Sequence, residues 1–304
     1  FRNPYGEGLY AGAFSGAKLL GVIGFTPAPL RVQGREVLGA TVSDAFTHPE
    51  ARGRGVFSAL MRYLVSAAGA RSYKIVFCIP NPASHRIYID RLGFSELFYC
   101  HRFGRPLMWS RLGGSLGPVG RAITASLGVA YDRILPLGGP DCFSVVRGSP
   151  PDWDALLRSC VAECECAGIR SGEWLRWRLA RPDREYIQVA VRDSHGVLRG
   201  WAVAYCTTRP RTGSSRLHVG DYWIAPKRRD VLQALMGAMA EEAKARGLEE
   251  LYTVSGSADA RSYLRSLGFL RRRYATPMVG ISPNGESLEP FRKWEYRDAD
   301  ADAF

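Results

Sequence analysis

One pattern occurs twice in this chain, and that repetition constrains the fold more than any other feature. Val42-Ser-Asp44-Ala-Phe-Thr-His-Pro49 matches Val219-Gly-Asp221-Tyr-Trp-Ile-Ala-Pro226 at a shift of 177 residues. After a loop two residues shorter, Arg52-Gly-Arg-Gly-Val-Phe-Ser-Ala-Leu60 matches Lys227-Arg-Arg-Asp-Val-Leu-Gln-Ala-Leu235 at a shift of 175. The same 175 carries Tyr88 onto Tyr263 and Gly93-Phe94 onto Gly268-Phe269. A constant offset over separated motifs is the mark of a duplicated unit, and 304 residues suffice for two domains that each bury a core.

In the first copy, the apolar run Ala40–Phe46 reads as a strand and Ser58-Ala-Leu-Met-Arg-Tyr-Leu-Val as a helix, with Arg52-Gly-Arg-Gly-Val-Phe between them. Strand, glycine-rich turn and helix together aim unpaired amides and a positive helix end at one point, which suits a phosphate or pyrophosphate. By itself such a turn is weak evidence. A second segment strengthens it: Asn81-Pro-Ala-Ser84-His-Arg-Ile-Tyr88 followed by Ile-Asp-Arg-Leu-Gly93-Phe94.

In these two segments the chain resembles the GNAT superfamily of acyl-CoA-dependent N-acyltransferases. Their pyrophosphate loop reads Arg/Gln-x-x-Gly-x-Gly/Ala, and a later segment reads Asn-x-x-Ala-x-x-x-Tyr-x-x-x-x-Gly-Phe. Arg52, Gly55, Asn81, Tyr88, Gly93 and Phe94 fall in register, while Phe57 and Ser84 replace small residues. The resemblance implies an α/β class with a mixed α+β sheet, here as two tandem GNAT acyltransferase domains. Residues 1–105 would be the CoA-binding domain, 106–141 a linker, and 142–304 a second domain with a degenerate loop. In that second loop Gly55 gives way to Asp230, Gly53 to Arg228 and Asn81 to Gly256. A carboxylate where a diphosphate would dock repels it.

The pattern predicts a hairpin from Leu9–Phe14 and Leu19–Thr26, then strand 37–46, helix 56–69, strand 74–79, helix 83–92 and strand 94–103. A helix near 119–133 lies in the connector, and strand 143–147 opens the second copy. There follow helix 153–166 capped by Asp152, a helix holding Trp174 and Trp177, strands near 186–192 and 199–207, strand 217–224, helix 229–246, strand 249–254, helix 258–267 and strand 269–280. Trp177-Arg178 matches Phe1-Arg2, so the first copy lacks a leading strand and helix pair, and residues upstream of Phe1 are expected in the natural protein.

The resemblance also implies site residues. A backbone N–H freed by a bulge near Phe46-Thr47 would polarise the thioester carbonyl. Arg52, Gly53, Arg54, Gly55, Val56, Phe57 and Ser58 would hold the pyrophosphate, and Asn81 and Ser84 the pantetheine arm. Tyr88 falls on the family tyrosine that protonates the leaving thiolate; as a residue it also reads as a core tyrosine. Asp44, inside an apolar strand, reads as base or ammonium anchor, or as a structural aspartate shared with Asp221. His48 is a second candidate base, and His85 faces solvent or the acyl arm.

Acyl-CoA is the implied cosubstrate, with a small-molecule amine as acceptor. Asn3-Pro-Tyr-Gly-Glu-Gly8, Phe57, Asn81-Pro82, Trp177-Arg178 and the tail Asp298-Ala-Asp-Ala-Asp302-Ala-Phe304 resemble tandem enzymes that acylate a deoxyamino sugar on a nucleotide or a natural-product scaffold. Mycothiol-synthase-like enzymes, aminoglycoside acetyltransferases, aminoacyltransferases of the Fem type and non-catalytic CoA-binding modules are the other readings.

Charge and cysteines exclude several classes. Net charge is +12, with five lysines among 41 basic residues. Those arginines are scattered rather than run together, which argues against nucleic acid while favouring anionic ligands. No apolar run reaches the length of a membrane span. Seven irregularly spaced cysteines point to reduced thiols in the cytoplasm. Cys160, Cys164 and Cys166, on the predicted helix without a neighbouring histidine, read as buried thiols and no metal site is expected.

Overall fold

A computed structural model describes residues 2–112, 117–138, 142–209, 212–225 and 228–300. Phe1, Pro226-Lys227, parts of the expected linker and the end of the acidic tail, 301–304, lie outside the described residues. The strands are β1 (Arg2–Asn3), β2 (Gly6–Glu7), β3 (Leu9–Ser15), β4 (Lys18–Val32), β5 (Arg35–Thr47), β6 (Ile75–Cys78) and β7 (Ser95–Pro106). They continue as β8 (Ser144–Arg147), β9 (Cys166–Gly168), β10 (Tyr186–Arg192), β11 (Leu198–Thr208), β12 (Ser215–Ile224), β13 (Glu250–Ser255) and β14 (Leu270–Ile281). The helices are α1 (Val56–Ala70), α2 (Pro82–Leu92), α3 (Trp109–Leu112), α4 (Gly117–Ile134), α5 (Trp153–Ala162), α6 (Gly172–Leu179), α7 (Arg229–Ala245) and α8 (Ala258–Ser266).

Contacts divide these elements into two compact units that interleave along the chain. The first takes 1–100, 161–178 and 275–304; the second takes 101–160 and 179–274. The expected boundaries at 105 and 142 are therefore not those of the compact units. Chain ends cross over: β14 closes the first unit by pairing Val279–Ile281 with Cys78–Val76, and β7 closes the second by pairing His101–Pro106 with Ser255–Glu250.

Each unit repeats one strand pattern. In the first, β3–β4 and β4–β5 are antiparallel, β5–β6 is parallel and β6–β14 is antiparallel. In the second, β10–β11 and β11–β12 are antiparallel, β12–β13 is parallel and β13–β7 is antiparallel. One long helix packs on each sheet, with a shorter one, α2 or α8, buried in the same core. Leu60, Met61 and Leu64 of α1 pack on Leu9, Ala11, Ile23, Phe25 and Ala40; Leu232, Leu235, Met236 and Met239 of α7 pack on Val189, Ala204, Leu217, Val219 and Leu251. The alternation along each strand leaves the opposite face to polar and aromatic residues.

Two expectations need correction. Helix 153–166 ends at Ala162, because Cys166–Gly168 leave it to pair with Val32–Leu30 of β4. Cys160, Cys164 and Cys166 are nonetheless buried and in no disulfide, and burial pushes the Cys166 thiol far up. Asp152 binds Arg192 at 2.5 and 2.8 Å rather than serving as a cap, and this contact holds its carboxyl below the usual range. Among the described residues no helix is long and apolar enough to cross a membrane.

Candidate active site

β5 is where the first unit departs from regular geometry. Val22 pairs with Phe46 and Gly24 with Ser43, so β5 carries one residue more than β4 across this step. The bulge holds Asp44 and Ala45, and Asp44 adopts φ +50°, a left-handed conformation that aspartate tolerates better than most residues. It lies two residues before the expected Phe46-Thr47, which are back in register opposite Val22 and Gly21. The backbone groups left out of the ladder are thus those of Asp44 and Ala45.

The bulge also puts Asp44 where sequence reasoning did not. Its carboxylate is exposed rather than enclosed in the strand, and Tyr10 donates a hydrogen bond to Oδ2 at 2.7 Å. Tyr10, Gly24 and Ser43 are register partners across β3, β4 and β5 on the face away from α1. A Cβ at Gly24 would come within 2.5 Å of the Tyr10 ring and 2.9 Å of Ser43 Oγ. The missing side chain lets the ring cross β4 and reach Asp44. Beside it, Ser43 and Thr26 share a buried 2.9 Å hydrogen bond. Gly24→Ala is expected to displace the ring and cost about 1–3 kcal/mol, as overpacking does; a denaturant midpoint equal to wild type would show that the ring does not need this gap. Asp221 of the second unit is fully buried next to the bulge in β12. The two aspartates therefore occupy different environments despite their matching sequence.

Downstream of β5 the chain makes a short 310 turn, Pro49–Ala51, whose cap is His48; its Nδ1 accepts from Glu50 N at 3.3 Å. This makes His48 a turn residue. Arg52 Nε lies 3.4 Å from the Thr47 carbonyl, and Arg52 and Arg54 are exposed. Gly53 and Gly55 take φ +76° and +79°, conformations that favour glycine. Nothing stands within 4 Å of a Cβ at either one. Gly55 is the N-cap of α1, no side chain caps the helix, and Ala59 N is bonded to Gly55 O. The preceding amides of Val56, Phe57 and Ser58 therefore precede the first intrahelical bond and carry the positive end of the dipole.

At the matching helix of the second unit the N-cap is Arg228, again with no side-chain cap, but a carboxylate stands in the first turn. Asp230, in the first turn of α7, accepts from Val231 N at 3.0 Å and from Arg228 Nε at 3.0 Å. The chain's own carboxylate serves as the anion there.

α2 supplies the remaining expected residues. Asn81 is its N-cap: Oδ1 accepts from Ser84 N at 2.9 Å, and Ser84 Oγ donates to the Asn81 carbonyl at 3.2 Å. In the second unit the cap is Ser257, bonded to Ala260 N, one residue after the Gly256 expected from the 175 offset. Tyr88 is only 4% exposed, with its ring edge-on to Phe57 and Phe94 at 5.6 and 4.9 Å. Burial, then the neighbouring Cys78 sulfur, drives the phenol far above its ordinary range; burial also pushes the Cys78 thiol up to about 12. His85 Nε2 meets Glu96 Oε1 at 2.9 Å.

A pocket on the α1-remote face of the first unit is lined by Thr26, Thr41, Phe77, Arg170, Trp174 and Trp177, among others. The tail closes it: Asp300 forms a buried 2.8 Å ion pair with Arg170, whose guanidinium also covers the Trp174 ring at 4.8 Å. Both tryptophans thus line a pocket, Trp174 buried and Trp177 half-buried. Among the described residues no group of three or more His, Cys, Asp or Glu is placed to hold a metal ion.

The first third of the chain, residues 1–96, matches the family model of an acetyltransferase (GNAT) domain. No curated protein matches the sequence. Among solved structures, the fold is similar to a GCN5-related N-acetyltransferase from Anabaena variabilis (14% identity, TM-score 0.65, covering 90% of this chain and 63% of that one). It is similar to another from Kribbella flavida (15%, TM-score 0.60, covering 90% and 60%) and to the N-myristoyltransferase of Saccharomyces cerevisiae, solved with myristoyl-CoA (15%, TM-score 0.60, covering 93% and 68%). The chain thus spans about three fifths of the length of the two N-acetyltransferases. At these identities the likeness concerns the fold, which is that of the GCN5-related acyltransferases.

Proposed function

We propose that the protein is an acyl-CoA-dependent N-acyltransferase of two tandem GNAT domains, transferring an acyl group directly to the amine of an amino sugar carried on a nucleotide or a natural-product scaffold. One observation carries this reading. An uncapped helix end, opened by two left-handed glycines, follows a bulged strand that presents an exposed carboxylate. Such an end takes a diphosphate, and the bulge brings the reacting groups beside it. The Asp230 carboxylate in the first turn of α7 supports a cofactor site in the first unit, and the common strand pattern supports duplication.

Each residue then has a role. The amides of Val56–Ser58, with Arg52 and Arg54, hold the diphosphate. Asn81 spends its side-chain oxygen on the α2 cap, which leaves its amide NH2 for the pantetheine arm beside Ser84. Backbone N–H groups at the bulge, with Phe46 and Thr47 next to them, polarise the thioester carbonyl. Asp44 anchors the ammonium and takes its proton; the amine nitrogen attacks the carbonyl carbon, the C–S bond breaks, and the thiolate is protonated. Tyr88 is the donor in that last step, and the second proton that the nitrogen loses as the amide forms restores its phenol. Free cysteines suit a cytoplasmic enzyme.

Thiol release from acetyl-CoA, screened over nucleotide-linked amino sugars, glycosylated aglycones and their N-acetylated forms, tests the function. Release is expected with free amines only. Release that ignores the amine, or none with any acceptor, would count against it.

A further inference from the structure

The second unit carries an excess of positive charge on the face of its sheet that α7 leaves open. Tyr205, His218, Tyr252 and Gly104 are successive register partners across β11, β12, β13 and β7. The three rings contact one another, with centroids 4.9 Å apart for Tyr205–His218 and 4.8 Å for His218–Tyr252. Among the described residues five arginines border this row: Arg102 on β7, Arg209 just after β11, Arg216 on β12, Arg272 on β14 and Arg184, 4.5 Å from the centre of the Tyr205 ring. Buried Glu250 answers two of them, held by Arg209 at 2.9 Å and by Arg272, and Asp183 lies 3.8 Å from Arg184. Gly104 makes room for that pair, since a Cβ there would collide with the Glu250 carboxylate and approach Arg272 Nη2 to 2.6 Å.

Arg216 and Arg102 are left over. Arg216 lies over the Tyr252 ring, its guanidinium carbon 3.9 Å from the centroid, and its buried Nε has no hydrogen-bond partner among the described residues. Burial, with Arg209 and Arg102 close by, weakens the hold of Arg216 on its proton, and burial with Arg209 and Arg216 does the same for Arg272. A half-buried cluster whose guanidinium groups outnumber the carboxylates described beside them is costly unless something negative completes it. Planar guanidinium groups fixed on aromatic rings suit the oxygens of a phosphate.

We propose that this face is an anion site for a phosphate ester of a ligand other than coenzyme A. The inference rests on the acyltransferase reading of the first unit. There the α1 end is the place for the CoA diphosphate, so a second phosphate site answers a second phosphorylated ligand.

Calorimetric titration with inorganic pyrophosphate, with and without saturating coenzyme A, tests it. The wild type should retain a pyrophosphate site when coenzyme A is bound. Arg216→Gln and Arg102→Gln should each weaken that site about tenfold or more, with coenzyme A affinity within about twofold of wild type. Affinity for pyrophosphate unchanged in both variants would overturn the proposal. So would a parallel loss of coenzyme A affinity, which would assign the arginines to a phosphate of the cofactor. Thermal midpoints check folding, and Arg102→Gln alone decides if Arg216→Gln does not fold. If coenzyme A fails to bind the wild type, the function proposed for the first unit falls, while the arginine dependence of pyrophosphate binding still reads this site.

Discussion

Gly55→Asp is expected to abolish measurable acetyl-CoA binding while leaving the fold intact. The position takes φ +79° and opens on free space, so an aspartate adds strain but meets no neighbour. Asp tolerates that conformation better than most side chains. The carboxylate would stand at the mouth of α1, where it can bond the free amides as Asp230 bonds Val231 N in α7. Like charges about 4 Å apart near a protein surface repel by about 4 kcal/mol at an effective dielectric constant of ~20. Even half of that, added to the loss of the amides, raises Kd by about 100-fold or more. Gly55→Ala separates charge from strain: it carries the left-handed penalty of about 1–2 kcal/mol without the carboxylate and should weaken binding about tenfold or less. Wild-type affinity in Gly55→Asp, read by calorimetry, would remove the cofactor from this loop.

The second large effect is expected from Asp44→Asn. The bulge puts this carboxylate outside the strand, and Tyr10 fixes its direction through a 2.7 Å hydrogen bond. Asparagine fills the same space, tolerates the same left-handed backbone and keeps an acceptor for Tyr10, but it cannot take a proton or balance an ammonium. Turnover should fall about 10²–10³-fold, the range typical of a lost general base, with acetyl-CoA affinity unchanged. Tyr10→Phe, which loosens the carboxylate without removing it, should show a smaller loss in the same direction. Full turnover in Asp44→Asn would make the carboxylate incidental to the chemistry.

The elements of both units are legible from periodicity because each has one buried face and short, marked turns. The places where reading fails have particular causes. β4 runs on to Val32 through Pro27 and Pro29, residues that in sequence end a strand. Beyond Phe25 its partner β3 has stopped, so a proline there costs no ladder bond on that side. The carbonyls of those prolines instead accept from Asn3 Nδ2 at 2.8 Å and Ile169 N at 3.0 Å. β9 is three residues long and exists because the edge of β4 is available; its apolar residues read as one more turn of α5. The interleaving of the units cannot be seen in a repeat offset, which reports similarity and not which strand closes which sheet.

The candidate site was readable where backbone chemistry dictates residue type. Gly53 and Gly55 have to be small for an open loop, and Asn81 is a helix cap. Tyr10 was not readable. The only local sign was a glycine at position 24 in the middle of an apolar strand, which marks a close approach without naming the group that approaches. Tyr88 is the converse case. Its place in the pattern singles it out for chemistry, whereas its contacts are those of a buried ring packed between Phe57 and Phe94.

Backbone amide signals recorded during a titration with acetyl-CoA test the central claim most directly. The account predicts large shifts and exchange protection at Val56, Phe57 and Ser58, with Asp230 and Val231 at the head of α7 unchanged. Protection at the α7 end, or no response at the α1 amides under saturating cofactor, would contradict it.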